Sequence, residues 1–190
     1  MWRAPPGADD APQLYGLVRQ DLSQALIKRL SMFVLRAKVK LAPAPLNVAG
    51  VQASAEDAAA LEAVTGALPR AAWQRADLPS GTWIAAPSAD GRLRWWWIAS
   101  DAQLDAAAPL AAVLGLAPAS QWQVADLAAG IPWIATATQD VFIPQTVNLE
   151  LIQGVSFTKG CYPGQEVVAR SHYRGTVTVS YTHLTLPTKA

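Results

Sequence analysis

Residues 156–175, SFTKGCYPGQEVVARSHYRG, concentrate reactive residue types in a chain that is otherwise rich in alanine, leucine and valine. They include Cys161, the only cysteine of the chain, and Lys159. Pro163 suits the first turn of a helix, and residues 167–173, VVARSHY, have helical periodicity. We therefore expect Cys161 just before a helix N-terminus, where free backbone N–H groups and a nearby ammonium stabilise a thiolate.

The residue types alone leave the role of Cys161 open. A thiolate is a nucleophile and a metal ligand, but a free cysteine is often a small buried hydrophobe. His172 follows eleven residues later on the expected helix, which is too far for a side-by-side Cys–His pair. One cysteine cannot hold an iron–sulfur cluster alone, since such clusters usually need about four protein ligands. We therefore expect no metal site within the chain.

Composition limits the class of protein. Of 190 residues, 52% are hydrophobic and 15% are charged, which favours a packed core over disorder. The net charge of +1 gives no basic footprint for direct nucleic-acid binding. No run of about eighteen apolar residues predicts a membrane span. The single cysteine fits a reducing compartment, and we expect a cytoplasmic monomer without nucleic-acid or membrane contacts.

Strand and helix patterns alternate along the chain. Three segments have strand character, and two more are separated by Asp90 and Gly91, a strong hairpin signal. This mixture predicts an α+β fold with a largely antiparallel sheet and packed helices. The expected strands are 12–20, 38–42, 46–52, 81–87 and 92–100; the expected helices are 21–35 capped by Asp21, 54–66 between Ser54 and Gly66, 100–115 interrupted by Pro109, and 120–130 between Ser120 and Gly130.

The run Trp95, Trp96 and Trp97 lies in the second strand of the expected hairpin. Side chains alternate along a strand, so Trp95 and Trp97 are expected on one face and Trp96 on the other. The run indicates a strand buried on both sides. A stacking platform for a flat ligand is the alternative.

The motif KGCYPGQE, residues 159–166, resembles the Lys-Gly-Cys-Tyr-x-Gly-Gln-Glu signature of the YgfZ family, folate-binding proteins related to the T-protein of the glycine cleavage system. The resemblance extends to residues 142–175 and to LIKRLSMFVLRAKVKL, residues 26–41, and covers roughly residues 13–178. Pro163 fills the variable position. The matching positions are Lys159, Gly160, Cys161, Tyr162, Gly164, Gln165 and Glu166.

This resemblance implies a T-protein-like fold around a folate pocket, with tetrahydrofolate as the cofactor. It also implies a role in making or maintaining iron–sulfur clusters, including those of radical enzymes that thiolate tRNA. The implied partners are iron–sulfur enzymes or cluster assembly factors, and the effect on tRNA is indirect. Whether the protein catalyses a reaction is left open.

The family has a folate-contacting tryptophan in the helix before a Gly-x-Pro turn, and Trp122 occupies that position here. An indole stacks well on a flat pterin, although Trp122 also suits a core position on a helix face. T-proteins carry a pterin-contacting glutamate in this helix, where this chain has Ala128. Asp126 points elsewhere on the helix and does not replace that glutamate.

Both ends of the chain differ from the family pattern. Residues 1–178 are expected to be part of a T-protein-like region, without its N-terminal segment and its C-terminal β-barrel. The tail from Val179, residues 179–190, resembles the translation of a sequencing adapter and is expected to be an artefact.

Two other functions remain open. An aminomethyltransferase of the glycine cleavage type would use the same fold, but T-proteins have another residue in place of Cys161. A thiol redox or interaction protein would use no folate, and the absence of a second, resolving cysteine argues against an internal dithiol cycle.

Overall fold

The computed structural model describes residues 1–3, 13–162 and 164–175. These belong to two compact units, Met1–Ala129 and Gly130–Ala190. The adapter-like tail and the placement of Pro163 in a first helical turn lie outside the described residues, and the expectation of a partial T-protein-like region stays a prediction.

The first unit is built on a four-stranded antiparallel sheet with the strand order β3-β6-β5-β4. A two-stranded antiparallel pair, β1-β2, precedes it. The α+β class with antiparallel sheets is thereby confirmed. The strands are β1 Trp2–Arg3, β2 Leu14–Tyr15, β3 Asn47–Ala53, β4 Arg75–Leu78, β5 Gly81–Ala85 and β6 Leu93–Ala99.

Five helices in the described part of the first unit accompany these strands. Within the part of the chain that the structure describes, no helix is long and apolar enough to cross a membrane. The helices are α1 Gln20–Ser31, α2 Ala55–Thr65, α3 Asp101–Asp105, α4 Ala108–Val113 and α5 Ala119–Ala128.

The tryptophan run forms the centre of the first unit, as the alternation predicted. Trp95 is 0% exposed, Trp96 is 5% exposed and Trp97 is 8% exposed, so strand β6 is buried on both faces. Trp97 stacks on Trp83 with ring centres 5.4 Å apart. The main core cluster contains Val51, Ala53, Ala58, Leu61, Leu68, Trp83, Ala85, Trp95, Trp97, Ala99 and Leu110.

Short-range signals in the sequence are confirmed where they set helix ends and turns. Ser54 is the N-cap of α2, and its hydroxyl accepts the backbone N–H of Asp57 at 3.0 Å. Gly66 ends α2 with φ +92°, a conformation that favours glycine. Gly91 has φ +77° in the β5–β6 turn. Pro109 lies in the first turn of α4, a separate short helix, where its missing N–H removes no helical hydrogen bond.

Two predicted strands are largely wrong. Of the described residues 13–20, only Leu14–Tyr15 form a strand, because the described partner, β1, is only two residues long. Residues 38–42 form no strand, and no described strand pairs with them to complete backbone hydrogen bonds. Strand β4, in contrast, was not predicted. It forms because its backbone pairs by hydrogen bonds with the edge of β5.

Two predicted helix caps are also wrong. Arg19 is the N-cap of α1, and Asp21 lies in the first turn, where it pairs with the Arg19 guanidinium at 3.2 Å. Pro118 is the N-cap of α5, so Ser120 is already helical and caps nothing. In both cases the chain enters the helix earlier than the polar residue that suggested the start.

The described part of the second unit is mostly irregular. Its described regular elements are short 3-10 turns at Thr136–Thr138 and Pro144–Val147 and the helix α6, Gln165–Arg174. Helix α6 confirms the helical prediction for residues 167–173, and it begins four residues after Cys161.

Candidate functional site

The turn between Cys161 and α6 is closed by two hydrogen bonds. The Tyr162 backbone N–H donates to Gln165 Oε1 at 3.3 Å, and the Gln165 N–H donates to the Tyr162 carbonyl at 3.2 Å. Gly164, the N-cap, has φ +82°, which explains a glycine at that motif position. One motif side chain, that of Gln165, and one motif glycine, Gly164, thus shape the entry to the helix.

Cys161 has an exposed side chain, so the interpretation as a small buried hydrophobe does not hold. Lys159, two residues earlier, makes contacts through both its backbone and its side chain. The Lys159 N–H donates to Ser156 Oγ at 3.2 Å, and its ammonium Nζ lies 4.7 Å from the ring centre of Tyr162. This cation–π contact holds a positive charge against the residue next to the thiol.

The remaining motif residues have looser surroundings. A Cβ at Gly160 would meet no atom within 4 Å, so no steric contact explains this glycine. Glu166 pairs with Arg170 at 2.7 Å one helical turn later, with side chains that are 82% and 71% exposed. A pair this exposed is worth little stability, about 0.3–0.5 kcal/mol. Arg170 is therefore a solvated surface charge in this structure.

A side chain outside the motif holds α6 in place. Gln145 Nε2 donates to the carbonyl of Val168 at 2.9 Å. Asn148 instead ends a 3-10 turn in the left-handed conformation, with φ +60°. The Gln145 bond ties this turn to the middle of the motif helix.

His172 lies near the end of α6 and pairs with the carboxylate of Glu150 through Nδ1. Its ring centre lies 4.2 Å from that of Phe157 and 4.6 Å from that of Tyr173. These contacts hold the His172 ring among Glu150, Phe157 and Tyr173. Within the described residues, no group of three or more His, Cys, Asp or Glu side chains has the arrangement of a metal site.

Trp122 lies in the first unit, on the sheet face opposite the main core cluster. Its indole packs on Gly50, where an added Cβ would overlap the ring. Trp96 meets it edge to face, with ring centres 6.1 Å apart. The Arg94 guanidinium carbon lies 4.1 Å from its ring centre. Trp122 is half-buried, so part of the indole remains accessible.

A buried ion pair next to Trp122 was missed by the sequence analysis. Arg94 Nη2 donates to Asp126 Oδ1 at 2.5 Å, and the two side chains are 0% and 3% exposed. The signal was present, since Arg94 stands in a strand of tryptophans that must be buried on both faces. The inference that Asp126 points away from the position of Ala128 agrees with the structure, because Asp126 is buried and Ala128 is exposed.

A cleft of about 460 Å³ lies beside α5 in the first unit. Helix α5 forms one wall, and the turn between β5 and β6 forms the other. Ala128, which the resemblance led us to expect at the position of the T-protein glutamate, is part of the lining. The complete lining is Gln52, Ala89, Asp90, Arg92, Arg94, Ser120, Gln121, Val124, Ala125 and Ala128.

Asp90 supplies a fixed negative charge at this cleft. The backbone N–H of Arg92 donates to its carboxylate at 3.1 Å, and the Ser88 hydroxyl donates at 2.9 Å. These hydrogen bonds, that of Arg92 first, hold the pKa of Asp90 below its ordinary value.

Comparisons with known proteins give one consistent result. No family model matches the chain. A tRNA-modifying protein YgfZ from Edwardsiella ictaluri is 60% identical to it over 47 residues. Proteins of the same name from Yersinia pestis and Yersinia pseudotuberculosis are 57% identical over the same length. The resemblance to the YgfZ family is confirmed for this segment. It comprises 25% of this chain and 14% of the length of each relative, so the match to YgfZ is local.

Proposed function

We propose that this protein binds tetrahydrofolate and assists the assembly or repair of iron–sulfur clusters, with an indirect effect on tRNA modification. The observation that carries the proposal is the 57–60% identity over 47 residues to proteins named for tRNA modification. The proposal includes a T-protein-like fold, a cytoplasmic location and partners that carry iron–sulfur clusters.

The cleft beside α5 supports folate as the ligand. Its volume of about 460 Å³ falls within the usual range of small-molecule sites, roughly 300–1,000 Å³. Val124 and Ala128 offer an apolar wall to a flat pterin, and the amide of Gln121 can bond the polar edge of the ring. Arg92 has a guanidinium suited to the carboxylates of the glutamate tail. The lining residues therefore fit the group.

The alternative of aminomethyl transfer is not favoured. Ala128 has a methyl group where T-proteins have a carboxylate, so it can neither accept a proton nor hold a charge. Asp126 cannot replace that carboxylate, because its side chain is buried against Arg94. We therefore assign no methylamine chemistry to this cleft.

We assign to Cys161 the role of a functional thiol, which the other motif residues present to a partner. Its exposure supports this role, as does Lys159, two residues earlier in the chain, whose ammonium lies against the ring of the adjacent Tyr162. A single thiol supplies one of the roughly four ligands that a cluster needs. Cluster contact is accordingly shared with the partner that delivers or receives the cluster.

Folate binding is tested on the chain itself with 5-formyltetrahydrofolate, by saturation-transfer NMR, which detects weak binding. The open cleft leaves more of the ligand exposed than the 10–30% typical of closed sites, so we expect weak affinity. Trp122→Ala should weaken the signal strongly. Neither tryptophan is among the lining residues, but Trp122 belongs to α5, which forms one wall of the cleft. Trp73→Ala is the matched control, because Trp73 also packs on Trp96 but does not belong to α5. Equal signals from the two variants would reject Trp122 as a folate contact.

The role of the thiol is tested in a bacterial strain that lacks its own YgfZ. A chimaera of the Edwardsiella ictaluri protein that carries residues 142–175 of this chain should restore cluster-dependent enzyme activity and tRNA thiolation. Cys161→Ser should abolish restoration, because a hydroxyl keeps the size but not the thiolate. Arg174→Lys, outside the motif, is the control. Full activity with serine would show that the thiol is dispensable.

A further inference from the structure

The side chain of Arg94 makes a dense set of contacts with helix α5. Besides Asp126, it donates to the carbonyls of Trp122 and Ala125, both at 3.3 Å. It also donates to the carbonyl of Pro87 at 2.8 Å, next to the β5–β6 turn. One guanidinium thus ties three positions of a single helix to the sheet.

The buried ion pair of Arg94 and Asp126 is energetically costly compared with apolar side chains in the same space. Burying two charges costs several kcal/mol per ion before their attraction is counted, and apolar residues of similar volume are often as stable. Among the described residues, Arg94 Nε is also buried without a hydrogen-bond partner. Stability alone therefore does not explain an arginine at this position. A role that requires the planar shape and the several N–H donors of the guanidinium does explain it.

That role is visible at Trp122. The guanidinium carbon of Arg94 lies 4.1 Å from the indole ring centre, while the same group bonds the Trp122 carbonyl. Arg94 thus holds both the backbone and the ring of one residue. Gly50 leaves the room that the indole occupies on the sheet, and the edge of Trp96 limits its rotation.

We propose that Arg94, oriented by Asp126, is a positioning residue that fixes the indole of Trp122 in one orientation for the ligand of this face of the sheet. The inference rests on the proposed folate function for the identity of that ligand. The orientation of the Trp122 ring is inferred independently of the proposed folate function. A planar guanidinium is required, because an ammonium in its place cannot stack on the indole and donate to several carbonyls in one plane.

The test uses the full chain labelled with 5-fluorotryptophan and observed by ¹⁹F NMR. Eight tryptophans give eight resonances, and Trp122→Phe identifies the one that belongs to Trp122. Arg94→Lys keeps the charge but removes the planar stack. It should shift or broaden the Trp122 resonance and weaken 5-formyltetrahydrofolate binding roughly tenfold. Arg75→Lys is the control, since Arg75 also pairs with a carboxylate, at 3.0 Å, in the same sheet.

Asp126→Asn is the second variant, in case Arg94→Lys does not fold, and circular dichroism reports the fold of both. A neutral amide still accepts one bond but holds the guanidinium less firmly, so the Trp122 resonance should again move. An unchanged Trp122 resonance in a folded variant overturns the inference, as does a moved resonance with unchanged affinity. Absence of binding by the unsubstituted chain overturns the proposed function and the ligand assigned here, while the resonance still decides whether Arg94 orients Trp122.

Discussion

Substitution of Gly50 by alanine tests how Trp122 is seated on the sheet. Gly50 lies in β3 opposite Trp96. An added Cβ would overlap indole carbons Cδ2 and Cε3 of Trp122 and would lie 2.8 Å from Cε2. The ring cannot stay in place with this methyl group, so it must leave the sheet or the strand must shift.

The expected cost follows from two opposing effects. Overpacking of a well-packed site costs about 1–3 kcal/mol. Replacing glycine by alanine also stiffens the unfolded chain, which recovers about 0.4–1 kcal/mol. We therefore expect Gly50→Ala to lower the free energy of unfolding of the first unit by about 1–2 kcal/mol. Gly115→Ala, where an added Cβ meets nothing within 4 Å, should be neutral or slightly stabilising.

Urea denaturation followed by tryptophan fluorescence measures this difference. Seven of the eight tryptophans lie in Met1–Ala129, so the signal reports mainly on the first unit. A midpoint for Gly50→Ala as high as that for Gly115→Ala would refute the reasoning. It would mean that the indole of Trp122 is not held against β3.

Three further outcomes are expected. In the same urea titrations, Ser54→Ala should lower the free energy of unfolding by about 0.5–2 kcal/mol, because it removes the α2 cap. Ser120→Ala removes no cap and should change this free energy by less than about 0.5 kcal/mol. Equal losses would contradict the assignment of the helix starts. The pKa of Asp90 is lowered, chiefly by the Arg92 N–H, so its stabilising effect is present above its ordinary value of 3.8 and is lost as the pH falls through the lower folded value. The deficit of Asp90→Asn relative to the unsubstituted chain should therefore shrink on acidification, and a deficit independent of pH would argue against this. Cys161 is exposed, so the native chain should react with one equivalent of a thiol reagent without denaturant, and labelling only after unfolding would contradict its placement.

The elements that sequence patterns predicted well depend on contacts within a few residues. Ser54 caps α2 because its hydroxyl reaches an N–H three residues later. Asp90 and Gly91 turn the chain between β5 and β6, and Pro109 lies in the first turn of a new helix. The alternation in β6 predicted burial on both faces, because side chains of a strand must point to opposite sides. The KGCYPGQE motif could likewise be recognised from the sequence, because its residues are contiguous.

Tertiary structure decided what depends on distant partners. Residues 38–42 have a strand pattern but no described neighbour, whereas β4 gains its ladder from β5. Arg94 and Asp126 meet across 32 positions of sequence. No local pattern links them, because their pairing depends on how α5 packs on the sheet. The same packing places Trp122 on Gly50 and beside a guanidinium. The sequence by itself determines the local conformations that hydrogen bonds and steric contacts between nearby residues select. Only the tertiary structure determines which buried charged side chains pair with each other.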